Sequence, residues 1–276
     1  MSIKLISLNI EGNKHLKEKV LPFLKMEDPD VICLQEVFKN NVKSIKKSLK
    51  MTGFFVPMGL VNYKLSNNCS FNDEWGLLVL TKLSIDNSGY KYYCGNSDNL
   101  PIFYFGVDPN IVNRAVAWIQ VSNQKQSFTI VTTHFVWSFA GSISTEQTQA
   151  LVRLYDSLSQ FHDCVLIGDF NTPRGKEIYS DLSSRYEDNI PSQITTTIDN
   201  QYHRSKDHIE FVVDGVFSSS KYKVSQVSIV DGLSDHCAIV CIVSQQSYIG
   251  RIKANLRIIK KRTLFCFRKN FNLLKL

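Results

Sequence analysis

The chain of 276 residues has no Cys-x-x-Cys pair, no hydrophobic run approaching a bilayer span, no internal repeat and no proline- and glycine-rich hinge. Each absence removes a class of protein. Zinc ribbons and dithiol redox centres need closely spaced thiolates, so neither is expected here. A membrane-spanning helix needs a long unbroken apolar stretch, and none exists. The opening residues MSIKLISLNIEG lack an apolar core and a small-residue cleavage site, which predicts a strand and no Sec signal. The seven cysteines are an odd number. Cys33, Cys164, Cys237 and Cys241 lie in apolar runs, while Cys69, Cys94 and Cys266 are scattered. We read them as free thiols, buried as small hydrophobes in a reducing, cytoplasmic setting. Without a linker, the expectation is one catalytic domain over residues 1–247 and a tail over 248–276, with 43% hydrophobic residues to build the core.

Acid is missing from one region only. From Tyr248 onward there are nine bases (Arg251, Lys253, Arg257, Lys260, Lys261, Arg262, Arg268, Lys269 and Lys275) and no Asp or Glu. Removing these nine from the 32 Lys and Arg leaves a body that is slightly acidic against its 25 carboxylates. The formal charge of +7 therefore describes the tail, and it does not mark the body as a nucleic-acid binder.

What the chain does contain is a set of apolar strands that end in polar residues. Residues 165–171 read VLIGDFN: an apolar run, then Gly168 where the backbone needs room, then Asp169 and Asn171 two apart on the same side of an extended chain. A carboxylate and a carboxamide at a strand exit suit a metal-phosphate site, although both residue types also serve turns. Four further runs end alike. Residues 4–12 (KLISLNIEG) deliver Asn9, 31–37 (VICLQEV) Glu36, 128–135 (FTIVTTHF) His134, and 229–243 (IVDGLSDHCAIVCIV) Asp235 and His236. Convergence of these ends into one pocket is the simplest reading.

The pieces LQEV, GDFN and SDH, supported by SLN and TTH, resemble the endonuclease/exonuclease/phosphatase superfamily with its deoxyribonuclease-I-like fold, in order from about residue 4 to 243. The resemblance implies a four-layer α/β sandwich of two packed, mostly antiparallel sheets flanked by helices. It also implies roles. Asp214, in the apolar stretch FVVDGVFS of residues 211–218, would hold His236, with Asp207 and His208 as a competing, more polar candidate pair. His236 would be the general base, with His134 the acid or transition-state donor opposite. Asp169 and Asn171 would position water, metal and phosphoryl oxygens. Arg114 would contact phosphate. Asn9 would lie beside both ion and substrate, Glu36 and Asp235 would bind Mg²⁺ (or Mn²⁺ in its place), and Glu74 would orient His134.

Between these motifs, residues 13–26 read as a helix with Leu16, Val20, Phe23 and Leu24 on one face, bent or shortened by Pro22. Residues 41–50 read as an amphipathic helix with Val42, Ile45 and Leu49 inward and four lysines in solvent. Residues 59–73 read as a polar loop and 75–81 as a strand. Phe103, Tyr104 and Phe105 fall where a loop should be, and we read them as packing under a sheet edge. Residues 114–121 should pair with the strand from Phe128 across a turn at 123–126. Trp137 and Phe139 belong to a rim loop. Ser144 and Gln147 have capping-box spacing and open a helix to about residue 160, with Ala150, Leu151, Leu154 and Leu158 inward; residues 176–186 are a short helix.

The function expected is Mg²⁺-dependent hydrolysis of phosphodiester (or phosphomonoester) bonds, with a nuclease-type phosphodiesterase favoured, by a monomer acting on nucleic acid or phospholipid. The alternatives are a phospholipid, sphingomyelin or phosphoinositide hydrolase and, lower, a non-catalytic binding module. In the tail, Ile249, Ile252, Leu256 and Ile259 recur at steps of three and four among the bases. Two readings stay open: a basic amphipathic helix on an anionic membrane, or a helix whose apolar stripe docks on the domain.

Overall fold

A strand whose two faces are both covered shows an apolar run rather than an alternation, and the central strands here are of that kind. The computed structural model describes residues 1–64, 70–103, 109–124, 126–205 and 208–273. In chain order its elements are β1 (Ser2–Asn9), α1 (Leu21–Glu27), β2 (Val31–Phe38), α2 (Lys39–Leu49), β3 (Thr52–Lys64), β4 (Ser70–Thr81), β5 (Ser84–Cys94) and β6 (Ile102–Phe103). There follow β7 (Arg114–Asn123), β8 (Gln126–His134), α3 (Thr145–Leu158), β9 (Val165–Asp169), α4 (Glu177–Arg185), β10 (Glu187–Asp188), β11 (Asp214–Ser218), β12 (Tyr222–Val230), β13 (Ala238–Gln245) and α5 (Tyr248–Leu273).

The strands form two sheets, in the orders β12-β13-β1-β2-β4-β3-β6 and β10-β11-β9-β8-β7-β5. Pairs β1/β2, β3/β6 and β8/β9 are parallel and the rest antiparallel. Period-two burial explains the layering. Leu5, Val31, Cys33, Ile130, Val165 and Ile167 point between the sheets. Their neighbours Ile6, Leu8, Ile32 and Leu34 point outward under Phe23, Leu24 and Ile45 of α1 and α2. On the other side Val131, Leu166 and Phe217 lie under Leu154, Leu158 and Leu182 of α3 and α4. The result is the expected four-layer α/β sandwich.

The local expectations hold with informative exceptions. Ser144 Oγ accepts the Gln147 amide at the start of α3, and Leu154 and Leu158 are buried. Pro22 sits in the first turn of α1, and the five residues before it, Leu16–Val20, are wound as a π-turn. Proline has no amide hydrogen and crowds the carbonyl four residues back, so the preceding turn widens. The polar loop expected at 59–73 is instead a hairpin whose arms pair from Leu60 with Glu74 out to Lys64 with Ser70, its tip outside the described residues. Backbone pairing beyond the packed sheet needs no apolar side chains, so composition misread it. Three strands had no apolar signature of the expected kind: β5 and β12 are partly exposed edges, and β3 carries its apolar residues in a run broken by Gly53 and Gly59. Phe103 is at the edge on β6, while Tyr104 and Phe105 lie outside the described residues. Asp214 is the first residue of β11, not its middle. Four cysteines are buried as expected, but Cys94 is half-buried and Cys266 exposed, and Cys69 is outside the described residues.

The tail is one helix, α5, with Ala254 buried against the body. Arg251 pairs with Asp163 (2.8 Å), while Arg257 and Lys261 approach Glu187 at 3.8 and 3.4 Å. The face carrying these residues docks. The stripe of Ile249, Ile252, Leu256 and Ile259 does not, so the docking of that stripe on the domain is overturned.

Candidate active site

The pocket lies where the C-terminal ends of β1, β2, β8 and β9 meet the first residue of β11. The register places His134 beside Asp169 and Asp169 opposite Asp214. Gly168 makes this possible: at φ +149° its chain passes so close to β8 that a Cβ would lie 2.2 Å from the Thr133 carbonyl oxygen. Glu36 arrives by a different device. The β2–β4 register slips between Leu34 and Val37, and Glu36 adopts φ +59°. A left-handed glutamate on a bulge is a strained conformation, held here so that its carboxylate turns from the sheet into the pocket.

Asn9 ties the two sheets together. Its Nδ2 donates to Glu36 Oε1 (3.0 Å) and Asp169 Oδ2 (3.1 Å), and its Oδ1 accepts the Glu11 amide (3.2 Å). With its oxygen accepting a backbone amide, Asn9 holds the two carboxylates in place and so lies beside Glu36 as expected. Asp169 Oδ1 accepts the amide of Asn171 (2.8 Å), which sits at φ +49° and donates Nδ2 to the Phe135 carbonyl (3.0 Å). Asn171 thus fixes Asp169 and keeps one Nδ2 hydrogen for a ligand.

Two histidines converge on Asp169 Oδ2: His134 Nε2 at 3.3 Å and His236 Nε2 at 3.8 Å. Asp214 Oδ2 is 2.9 Å from His236 Nδ1, so the expected partner of His236 is in place. Of the competing pair, His208 is exposed beside Glu210, and Asp207 lies outside the described residues.

Electrostatics separates the histidines. Burial alone would depress His236, but Asp214, Asp169 and Asp235 outweigh it and raise it well above the usual imidazole value. Burial, with Arg114 and His236 nearby, drives His134 well below that value, so it is neutral at pH 7. Burial and then the Asp235 charge push Glu36 up to about 7. Asp169 is raised to about 6, chiefly by burial.

The metal requirement can be judged from the donor set. Glu36 is opposed by Asp235 and Asp169, and the Asn9 amide is its one hydrogen-bond donor among the described residues. Asp169, Asp214 and His236 offer ligand atoms within 4.8 Å of one another, with Asp214 Oδ2 and His236 Nδ1 facing each other. Under-compensated carboxylates suit a hard dication, and Glu36 and Asp235, whose charges oppose each other, are the residues that would hold it.

Two expectations fail here. Arg114 is 2% exposed and donates to the carbonyls of His134 (3.3 Å) and Pro109 (2.8 Å), so it lies beneath His134 instead of reaching phosphate. A guanidinium in an alternating strand looks solvent-facing from sequence, but five donors let it satisfy several buried carbonyls. Glu74 pairs with Lys39 (2.5 Å), and His134 Nδ1 has no hydrogen-bond partner among the described residues. Trp75, one residue on, packs against the His134 ring with centroids 5.5 Å apart.

Sequence reading also passed over Gln35, which is fully buried and bridges the sheets through Ser7 Oγ (3.1 Å) and Thr132 Oγ1 (3.2 Å) directly before Glu36. The signal was available: an amide inside a strand buried on both faces must find partners. A cluster assembled from distant loops was also missed: Arg204 and Lys14 both pair with Glu11 (3.3 and 3.0 Å), and Asp199 accepts Gly232 N beside the Asp235 turn.

A pocket of two histidines and converging acids at the strand ends of a four-layer sandwich defines a phosphoester hydrolase. The chain belongs to the Endonuclease/Exonuclease/phosphatase family, whose model matches residues 6–236. Members of that family generally use a divalent cation, in keeping with the acidic cluster. No match to a curated protein was found. Among solved structures, an endonuclease/exonuclease/phosphatase from Bacteroides vulgatus is 16% identical with a TM-score of 0.67, over 89% of this chain and 100% of that one. The human Nocturnin catalytic domain with bound sulfate is 17% identical with a TM-score of 0.64, over 89% and 94%. A mannosyl-6-phosphatase from Bacteroides thetaiotaomicron is 13% identical with a TM-score of 0.61, over 88% and 100%. At these identities the likeness is one of fold.

Proposed function

We propose that the protein is a Mg²⁺-dependent phosphodiesterase of nuclease type. The observation that carries this reading is the approach of His134 and His236 to one oxygen of Asp169, at 3.3 and 3.8 Å. A phosphodiester resists attack because it is an anion, so hydrolysis needs charge neutralisation, an activated water and a stabilised leaving group. Glu36 and Asp235 would hold Mg²⁺, which when bound offsets the phosphoryl charge.

The chain's own groups do the rest. His236 Nε2, when unprotonated, accepts the water's proton while Asp214 fixes the tautomer through Nδ1. Asp169 orients that water. His134, kept neutral, donates a hydrogen bond from Nε2 to the developing charge, which favours the transition-state donor over the full acid. Arg114 acts from below by holding the His134 backbone.

The phosphatase among the structural relatives keeps phosphomonoesters as an alternative substrate. A lipid-hydrolase reading draws on the tail, but α5 is anchored at Asp163 and Glu187, at the strand ends opposite Asp169 and Asp214. That placement favours a soluble substrate. The complete set of acids and histidines speaks against a binding module. The test is a screen of purified protein in Mg²⁺ against DNA, RNA, sphingomyelin and inositol phosphates. Turnover of a nucleic acid is expected; turnover of lipid alone overturns the nuclease reading.

A further inference from the structure

Helix α5 has two opposed faces, and only one is used by the fold. At 100° per residue, Arg251, Ala254, Ile258, Lys261 and Phe265 share one side. These are the positions that dock: Ala254 is 1% exposed, and Arg251 and Lys261 make the ion pairs to the body. Turned half a revolution away are Ile249, Ile252, Leu256, Ile259 and Phe267. They are 65%, 44%, 61%, 61% and 70% exposed. Five large apolar side chains in a row on the solvent side of a helix are not explained by the fold, because the fold already has its contact.

The charges around this stripe decide what covers it. Lys253 and Lys260 border one edge of the stripe, and α5 contains no acidic residue. The steps of three and four would suit a paired helix from a second copy. In such a pair the flanking positions of the two helices face each other, and here every charge that could meet is positive. Self-pairing is therefore opposed by the residues that should specify it. A nucleic acid would accept the bases but would leave the isoleucines in water. An anionic bilayer surface satisfies both features, with the apolar stripe at the acyl boundary and lysine and arginine at the headgroups. No described helix is long and apolar enough to cross a membrane, so the mode is to lie on the surface.

We propose that the outward face of α5 docks the enzyme on anionic lipid bilayers. The surface is an anchor and not a feed to the pocket. Its ion-pair partners Asp163 and Glu187 sit beyond the start of β9 and at the end of β11, away from the catalytic ends of both strands.

The test is sedimentation of the full-length protein with vesicles of pure phosphatidylcholine and with vesicles rich in phosphatidylglycerol. Binding to the anionic vesicles is expected to be about thirty-fold the stronger, the combined effect of two bases at a charged surface, and to weaken with salt. The double variant Ile252→Glu with Ile259→Glu should stay in the supernatant while remaining a folded monomer by circular dichroism and light scattering. Lys253→Glu with Lys260→Glu keeps the stripe and should lose the preference for phosphatidylglycerol. The proposal is overturned if the wild type ignores anionic vesicles at low salt, or if both variants bind them as the wild type does. It is equally overturned if the wild type is a dimer that Ile252→Glu with Ile259→Glu converts to a monomer.

Discussion

The pocket and helix α5 both gather charged side chains, and they use them in opposite ways. In the pocket, Asp169, Asp214, His134 and His236 are all buried and linked in one chain of contacts, and the proton affinities of Asp169, His134 and His236 are moved from their usual values. On α5 the bases are mostly exposed, and its ion pairs join side chains that water still reaches. Burial, not residue type, makes the difference. In the pocket each group is held by a neighbour's backbone or side chain, so chemistry depends on position. Along the helix, charges act collectively and no single one matters much.

That contrast can be broken or sharpened by substitution. The largest effect should come from the pocket: His236→Ala and Asp169→Ala should each lower turnover of the best substrate by about 10²–10⁴-fold with little change in folding. Steady-state kinetics with thermal melts of the same samples checks this. Near-wild-type rates in either variant would make the pocket no more special than the helix. Next is Gly168→Ala, which forces a side chain onto the Thr133 carbonyl and should cost about 1–3 kcal/mol, read by denaturant titration, as well as displacing Asp169.

Gln35→Leu tests whether a buried amide that never touches substrate supports Glu36. Leaving the Ser7 and Thr132 hydroxyls without it should cost about 1–3 kcal/mol. The smallest effect should be Arg251→Ala: its guanidinium is partly exposed and Asp163 keeps the Ser219 hydroxyl as a donor, so the pair contributes below about 1 kcal/mol. A larger loss in that variant would show that the helix is welded to the body as firmly as the pocket is built.

The same contrast governs what could be read without a structure. Strand ends carrying Asn9, Glu36, His134, Asp169 and His236 were legible because each sits at the limit of an apolar run, and a chemical role there has few substitutes. Asp214 was found for a related reason, the cost of a carboxylate in apolar surroundings, though its place in the strand was misjudged. Arg114 and Glu74 were given the wrong immediate partners. Their roles depend on which of several carbonyls and charges lie within reach, and that is fixed by packing between the sheets. On α5 the helix and its periodicity were plain, but the docking face was not. Docking uses an alanine and two ion pairs, a weaker pattern in sequence than the isoleucine stripe it leaves outside.

The central claim is that the buried carboxylates are arranged for a dication and a phosphoryl group. The most direct measurement is hydrolysis of the accepted substrate by wild type and Glu36→Gln, in EDTA and across a Mg²⁺ titration. The account predicts no turnover in chelator and full recovery of the wild type in Mg²⁺ or Mn²⁺ without zinc. It also predicts that Glu36→Gln requires far more Mg²⁺ to reach any rate. Full turnover in EDTA, or a Glu36→Gln titration overlying that of the wild type, would contradict it.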